Sequence, residues 1–317
     1  MMFRRRTMLG AAGGALLGNL VGPRGARAAD LRSLTLYQRL GKPSFAWQVS
    51  DLLQPVLVRL LGIRVDVETA HGEHGLAAIN AILDRPADQP GLVITSTMGP
   101  QYVETVLKPR VRIADLTPVA KLTNGFSVTT FARRGGELAS WQDLAALRPL
   151  TVSCMDMSTA PFVAKVMMEG VGGLALEVTI RESIPAIVDD VVEGRCHVGI
   201  IPTSMVVENL DRLQPLVSFG ARRNAILRLT NTPTFAEITG NPKLAFTESI
   251  GAFAAPGADP ALVARLAEAI LAAGRDQDVI DRAEATELPI AINGADVLVD
   301  TIARNERVLK RILPARS

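Results

Sequence analysis

An alternation of short strand-like runs with amphipathic helical stretches governs what this 317-residue chain can fold into. "SLTLYQ" (33–38) has strand character. Residues 46–61 have helical periodicity, with apolar residues at Val49, Leu52, Leu53, Val56, Leu57 and Leu60. "IRVDVET" (63–69) alternates with period two, and a glycine-rich turn then leads into a helix over about 76–83. "GLVITS" (91–96) is a short buried-type strand. Consecutive βαβ units of this kind predict a parallel sheet with helices on both faces.

The pattern then restarts. "FSVTTFAR" (126–133) and "LTVSC" (150–154) are predicted strands around a helix that opens near Ser140, and a further helix follows Ser158. "LEVTIRE" (176–182), a helix over 184–193 and "HVGII" (197–201) continue the series. Beyond a Pro/Gly-rich stretch, "IGAFAAPG" (250–257) reads as a strand crossing between domains. Asp259 or Pro260 starts a helix through Ala273, with proline tolerated in the first turn, and another helix opens at about Ala295. With 48% hydrophobic residues, a chain of this length can bury two cores. Periodicity alone does not tell whether the C-terminal part returns to the first domain.

The first thirty residues read as an export signal rather than fold. "MMFRRRTMLGAAGGALLGNLVGPRGARAAD" has a cationic start, a short apolar stretch and the small-x-small sequence Ala26-Arg27-Ala28. Arg5-Arg6-Thr7-Met8-Leu9 fits the twin-arginine pattern, with an ordinary secretory signal as the alternative. The expectation is a signal over residues 1–28, cleaved after about Ala28, and a periplasmic mature protein. Cleavage removes Arg4, Arg5, Arg6, Arg24 and Arg27 and no acidic residue, so the formal charge moves from +2 to −3. Only 4% of residues are aromatic, and no basic stripe alternates with aromatics, which argues against a nucleic-acid partner. Cys154 and Cys196 fall at opposite ends of predicted neighbouring strands, too far apart for a disulfide.

In open α/β sheets ligands bind beyond the carboxyl ends of the strands, where helix N-termini offer unpaired N–H groups. Four turns qualify: "RLGKPS" (39–44), "HGEHG" (71–75), "TSTMG" (95–99) and "CMDMSTAP" (154–161). Each Ser or Thr in them could equally be a plain helix cap. "HGEH" raises a metal reading through His71, Glu73 and His74, but its glycines make it a turn, and the chain has only three histidines. A Ser/His/Asp arrangement using Ser153 or Ser158 lacks the Gly-x-Ser-x-Gly elbow. Catalytic residues, metal ligands and cofactors are therefore not expected. Asp51, Asp189 and Asp190 read as solvated helix faces. Phe45 and Trp47, at the start of the first long helix, could be core or could line a cleft.

Together these segments resemble a known family. "LLQPVLVRLLGIRVDVET", "HGEHGLAAINAI", "ADLTPVAKL", "IPAIVDDVVEGRCHVGII", "TPTFAEITGNP" and "GAFAAPGADPALVARLAEAI" occur in the order and spacing of the extracytoplasmic solute-binding proteins of tripartite tricarboxylate transporters, the Bug or TctC type. The resemblance spans nearly everything after residue 30. It implies a type II periplasmic-binding-protein-like α/β fold of two lobes joined by two crossing strands. Lobe 1 would hold residues 29–127 and 251–317, and lobe 2 residues 128–250. It also implies a monomer, not an enzyme, that captures a small organic anion by lobe closure and passes it to membrane permease subunits or a sensor kinase.

Carried onto this chain, the ligand-binding set would be Arg39, Lys42, Ser44 and Trp47 in the first clamp loop, with Gly72, Thr95 and Ser96 beside it. Ser153, Asp156, Ser158, Thr159 and Thr203 would come from the second lobe. The departures are substantial. Ala46 and Trp47 stand where the family usually has Thr-Asp. Met155 and Met157 stand where glycines are common, and Pro202-Thr203 where Asp-Asn is frequent. The expected ligand is accordingly a carboxylate with an apolar or aromatic body. Two alternatives remain: a periplasmic enzyme or metal-binding protein using the same cleft, or a divergent binder without a transport role.

Overall fold

The computed structural model describes residues 31–42, 44–83, 85–223, 229, 231–286 and 288–313. The export-signal reading of residues 1–28 lies outside them. The chain first builds β1 (Ser33–Gln38), α1 (Phe45–Leu61), β2 (Arg64–Thr69), α2 (Leu76–Asn80), β3 (Gly91–Ser96), α3 (Met98–Leu107) and β4 (Thr117–Thr123). It then crosses to a second sheet made of β5 (Val128–Arg133), β6 (Leu150–Cys154), β7 (Leu176–Ile180), β8 (Val198–Pro202) and β9 (Leu213–Ser218). Helices α4 (Trp141–Ala146), α5 (Ala160–Gly170), α6 (Ile184–Val192), α7 (Thr203–Glu208) and α8 (Phe235–Thr239) belong to that stretch. The chain returns through β10 (Ile250–Ala254), α9 (Pro260–Ala273), α10 (Gln277–Ala285), β11 (Ile290–Gly294) and α11 (Ala295–Ile312).

Two separate sheets result. The first has the order β11-β4-β10-β3-β1-β2 and the second β7-β6-β8-β5-β9. β1 runs parallel to β2 and β3, whereas β10 inserts antiparallel between β3 and β4. The return that periodicity left open is thus made by β10 and β11. All six residues of β1 are buried, as expected of a strand covered on both faces. β6 likewise runs parallel to β7 and β8, so Cys154 and Cys196, both free and buried, sit at opposite ends of neighbouring strands.

Local chemistry explains the helix that carries the first clamp loop. Ser44 caps α1 by accepting from the Trp47 N–H at 3.3 Å, and Gly62 ends it in the left-handed region at φ 67°. The core face runs through Val49, Leu52, Leu53, Val56, Leu57 and Leu61. Leu60, expected on that face, is 44% exposed. Leu61 takes its place because the i+4 step from Leu57 follows the sheet more closely than the i+3 step.

The crossings lie slightly N-terminal to the segments expected to make them. "IGAFAAPG" contributes β10, which lies wholly in the first sheet, and the passage between sheets is made just before it. Phe126 and Glu248, one from each passage, exchange backbone hydrogen bonds of 2.8 and 2.7 Å. Phe45 at the start of α1 packs on Phe126, ring centroids 5.2 Å apart. The sheets also share packing on this side. Met98 and Tyr102 of α3 and Val308, Leu309 and Ile312 of α11 join the hydrophobic cluster built on β6, β8 and α5. The C-terminal end of α11 therefore serves the second lobe, although the helix starts beside the first sheet.

Candidate functional site

The carboxyl end of β1 and the carboxyl end of β6 face each other across the two lobes. After Gln38 the chain turns and presents Arg39. After Cys154 it turns through Met155–Met157 toward α5, whose N-cap Thr159 accepts from the Phe162 N–H. The Arg39 Nη1 donates to Asp156 Oδ1 at 3.1 Å and to the Ser158 hydroxyl. His74, in the turn after β2, brings Nδ1 to 3.5 Å from Asp156 Oδ2. An ion pair thus bridges the two clamp loops, with the cation supplied by lobe 1 and the anion by lobe 2.

Each partner is preorganised by its own lobe. Asp156 Oδ1 also accepts from the backbone N–H of Ser158 at 3.2 Å and from its hydroxyl, an Asx turn that needs nothing from lobe 1. The Arg39 stem lies over Gly75, where an added Cβ would stand 2.3 Å from Arg39 Cδ. Gly75 has φ 90° as well, so no other residue fits there without strain. At Gly99, in the first turn of α3, a Cβ would stand 1.9 Å from the Ser158 carbonyl oxygen. Backbone therefore meets backbone where the lobes close.

The electrostatics follow from burial and pairing. The Arg39 side chain is only 12% exposed. Burial lowers its pKa, opposed by Asp156 and by the charge of Glu248, and the guanidinium stays a cation. Burial pushes the Asp156 carboxyl up, but Arg39 and the Ser158 hydrogen bonds outweigh this and hold it below the ordinary carboxylate range.

The other expected residues divide by location. Ser44 caps α1 and donates to the Leu40 carbonyl at 3.0 Å, and the Lys42 ammonium lies 4.1 Å from the centroid of the half-buried Trp47 ring. Thr159 donates to the Asp156 carbonyl at 2.8 Å, which fixes the turn. The Gly72 carbonyl accepts from the Gly75 N–H and closes the 72–75 turn. Thr95 is buried within β3, with Ser96 beside it at the strand end. Thr203 supports the interlobe passage, bonded to the Ser127 and Thr129 hydroxyls at 2.8 and 2.9 Å.

Ser153 is fully buried and donates to Asp190 at 2.8 Å, inside lobe 2 rather than on the seam. Asp190, expected on a solvated helix face, is 1% exposed. It accepts from Arg181 and Arg195, both at 2.7 Å. Arg181 first, then Arg195 and Ser153, hold its carboxyl far below the usual range against the effect of burial. The Asp189-Asp190 pair reads as two solvated charges, yet only Asp189 is solvated.

The TSTMG turn also holds an anion, but the chain supplies it. Glu248 Oε1 accepts from the N–H groups of Thr97, Met98 and Ser249 and from the Thr97 hydroxyl. Glu248 is buried in the passage between lobes, and its Oε2 has no partner among the described residues. Burial raises its pKa despite those four donors. Sequence reasoning missed Glu248, although an acidic residue inside the largely apolar run "LAFTESIGAF" was a signal. His74 was a candidate only for a metal site or an enzyme site, and its contact with Asp156 was not foreseen. Among the described residues no three His, Cys, Asp or Glu side chains converge on a metal position. A hollow of about 960 Å³ opens on the second lobe beside Arg134, Trp141 and Glu237, with no lining residue in common with the Arg39 seam.

No protein-family model and no curated protein matches this sequence. Solved structures do match. The malate-bound MatC protein of Rhodopseudomonas palustris superposes with a TM-score of 0.72 at 20% identity, over 88% of this chain and 99% of that one. An adipate-bound protein of R. palustris gives 0.69 at 19% identity, over 89% and 97%. A TctC solute-binding protein from Polaromonas gives 0.67 at 14% identity, over 89% and 97%. The chain has the two-lobed α/β fold of these proteins.

Proposed function

We propose that this chain is an exported solute-binding protein of the Bug or TctC type. It captures a small carboxylate between its lobes and delivers it to a transporter of the tripartite tricarboxylate type or to a sensor. One observation carries the reading. A nearly buried guanidinium, Arg39, projects from the carboxyl edge of one lobe onto the clamp loop of the other. A buried cation at an interlobe seam is a strong anchor for a carboxylate, because desolvated charge-assisted hydrogen bonds are about twice as strong as neutral ones. The fold shared with malate- and adipate-bound proteins supports the same reading. So does the export-signal pattern of the first 28 residues.

The mechanism is an open–closed equilibrium that the ligand shifts by binding the closed form better. The two backbone passages paired at Phe126 and Glu248 form the pivot. Gly99 lets the rims approach to backbone contact. The Ser158 hydroxyl donates to an Asp156 carboxylate that is already paired with Arg39, and capture and release by such a clamp require no chemistry from Ser158 or His74.

Thermal shifts of the mature chain against mono- and dicarboxylates, with and without a chelator, test the reading. A ligand at 100 times its Kd adds about 2.7 kcal/mol. For a protein of this size that is a rise of several degrees, at about 2–4 °C per kcal/mol. A rise insensitive to chelator is expected. A fall in Tm caused by chelator alone, or turnover of a panel member lost on replacing His71 or Ser158, would replace this reading with a metal protein or an enzyme.

A further inference from the structure

The seam carries its own carboxylate, and this bears on which solutes fit. We infer that the preferred ligand is zwitterionic, with a carboxylate for Arg39 and a cationic group for Asp156. The inference rests on the proposed solute-binding function and narrows its substrate class.

Asp156 belongs to lobe 2 whether or not the lobes meet. The Ser158 N–H and hydroxyl, two residues along the same turn, hold its Oδ1. Arg39 belongs to lobe 1, its stem seated over Gly75. A solute that enters between the rims separates the ion pair and leaves a cation on one face and an anion on the other. A ligand carrying only carboxylates satisfies Arg39 and then sets negative charge beside Asp156. Like charges within about 4–6 Å disfavour each other's ionised form. A ligand with one carboxylate and one ammonium replaces both halves of the broken pair.

The other charged groups here do not change that conclusion. His74 approaches Asp156 Oδ2 from lobe 1 at 3.5 Å, and its side chain is 48% exposed, so a ligand can displace it. Glu248 lies deeper and acts on Arg39 only through its field. The Lys42 ammonium rests on the Trp47 ring. The seam therefore pairs one fixed cation with one fixed anion, which suits a solute of zero net charge better than a dianion.

Calorimetric titration of the mature protein with probes of similar length and different charge decides the matter. The probes are 4-aminobutyrate, 5-aminopentanoate and L-leucine against succinate, glutarate and adipate, each on wild type and on Asp156→Asn. The expected result is at least tenfold tighter binding of a zwitterion than of the dicarboxylate of similar length, with the order reversed in Asp156→Asn. A wild-type preference for the dicarboxylates would overturn the inference and leave the solute-binding reading intact. A zwitterion preference unchanged in Asp156→Asn would overturn it too, since Asp156 would not be reading the cation. Absence of binding by both classes to the wild type would overturn the underlying function and this inference with it. The wild-type comparison stands even if the variant misfolds.

Discussion

Arg39 is the residue on which the functional account turns. It is a long side chain in a polar loop, and nothing in its local sequence distinguishes it from a solvated surface arginine. Its burial depends on Gly75, which is 36 positions away and clears its path. Arg39→Gln should weaken carboxylate binding by about 10- to 100-fold, the equivalent of losing a charged hydrogen bond worth about 1.5–3 kcal/mol. Calorimetry would show this, and an unchanged Kd would remove Arg39 from the site. Gly99→Ala should leave the fold intact but hold the rims apart, because its Cβ would overlap the Ser158 carbonyl. Solution scattering would register this as a larger radius of gyration than that of the wild type, and an identical profile would argue against closure at that contact.

Much was already legible among the elements. β1, β3 and β6 follow their sequence runs residue for residue, because each is a short apolar segment bounded by turn residues. Helix α9 starts on the Asp259-Pro260 signal that announced it. What stayed hidden was polar and long-range. Asp190 looks solvated because its partners Arg181 and Arg195 meet it only in the folded lobe. Ser153 looks like a rim hydroxyl for the same reason. Glu248 fills the N-terminus of α3, a place where sequence logic expects a ligand anion, from 150 positions away. Glu248→Ala should strand the Met98 and Ser249 N–H groups, which have Glu248 as their acceptor, and lower stability by about 2 kcal/mol, given about 1–3 kcal/mol for a buried unsatisfied group. The Tm should fall by about 4–8 °C, whereas Glu248→Gln should keep most of it. Equal Tm values for Glu248→Ala and the wild type would refute this role.

Element-level electrostatics also predict a pH dependence. Burial pushes the Glu104 carboxyl of α3 up to about 7, while the Ile113 N–H and Arg112 pull it down and Asp115 and Glu306 push it further up. The folded protein therefore holds a proton that the unfolded chain releases near 4.5. Stability from this group is complete below about pH 4.5 and is lost as pH rises toward 7. Urea midpoints measured across that range should fall less steeply in Glu104→Gln than in the wild type. Parallel curves would contradict the assignment.

On the scale of the whole molecule, two sheets are joined by two paired backbone passages, by a shared apolar cluster, and by the polar contacts of Arg39 and His74 with Asp156 between the clamp loops. That division suits a clamp, because the passages and the cluster are buried while the contacts between the clamp loops are polar and separable. Met155 and Met157 pack toward the two hydrophobic clusters of lobe 2, so the bulk that the sequence placed in this clamp loop serves the core as well as the rim. The fold class and the facing of the two clamp loops could be read from the order of motifs. The charged residues Arg39 and Asp156 were named from the resemblance, but their pairing was not legible, since it arises only where the lobes meet. A crystal structure of the mature protein soaked with the tightest-binding carboxylate tests the account most directly. It should show a ligand carboxylate oxygen within hydrogen-bond distance of the Arg39 guanidinium and Asp156 released from Arg39. A ligand seated in the hollow beside Trp141, with the Arg39–Asp156 pair unbroken, would contradict it.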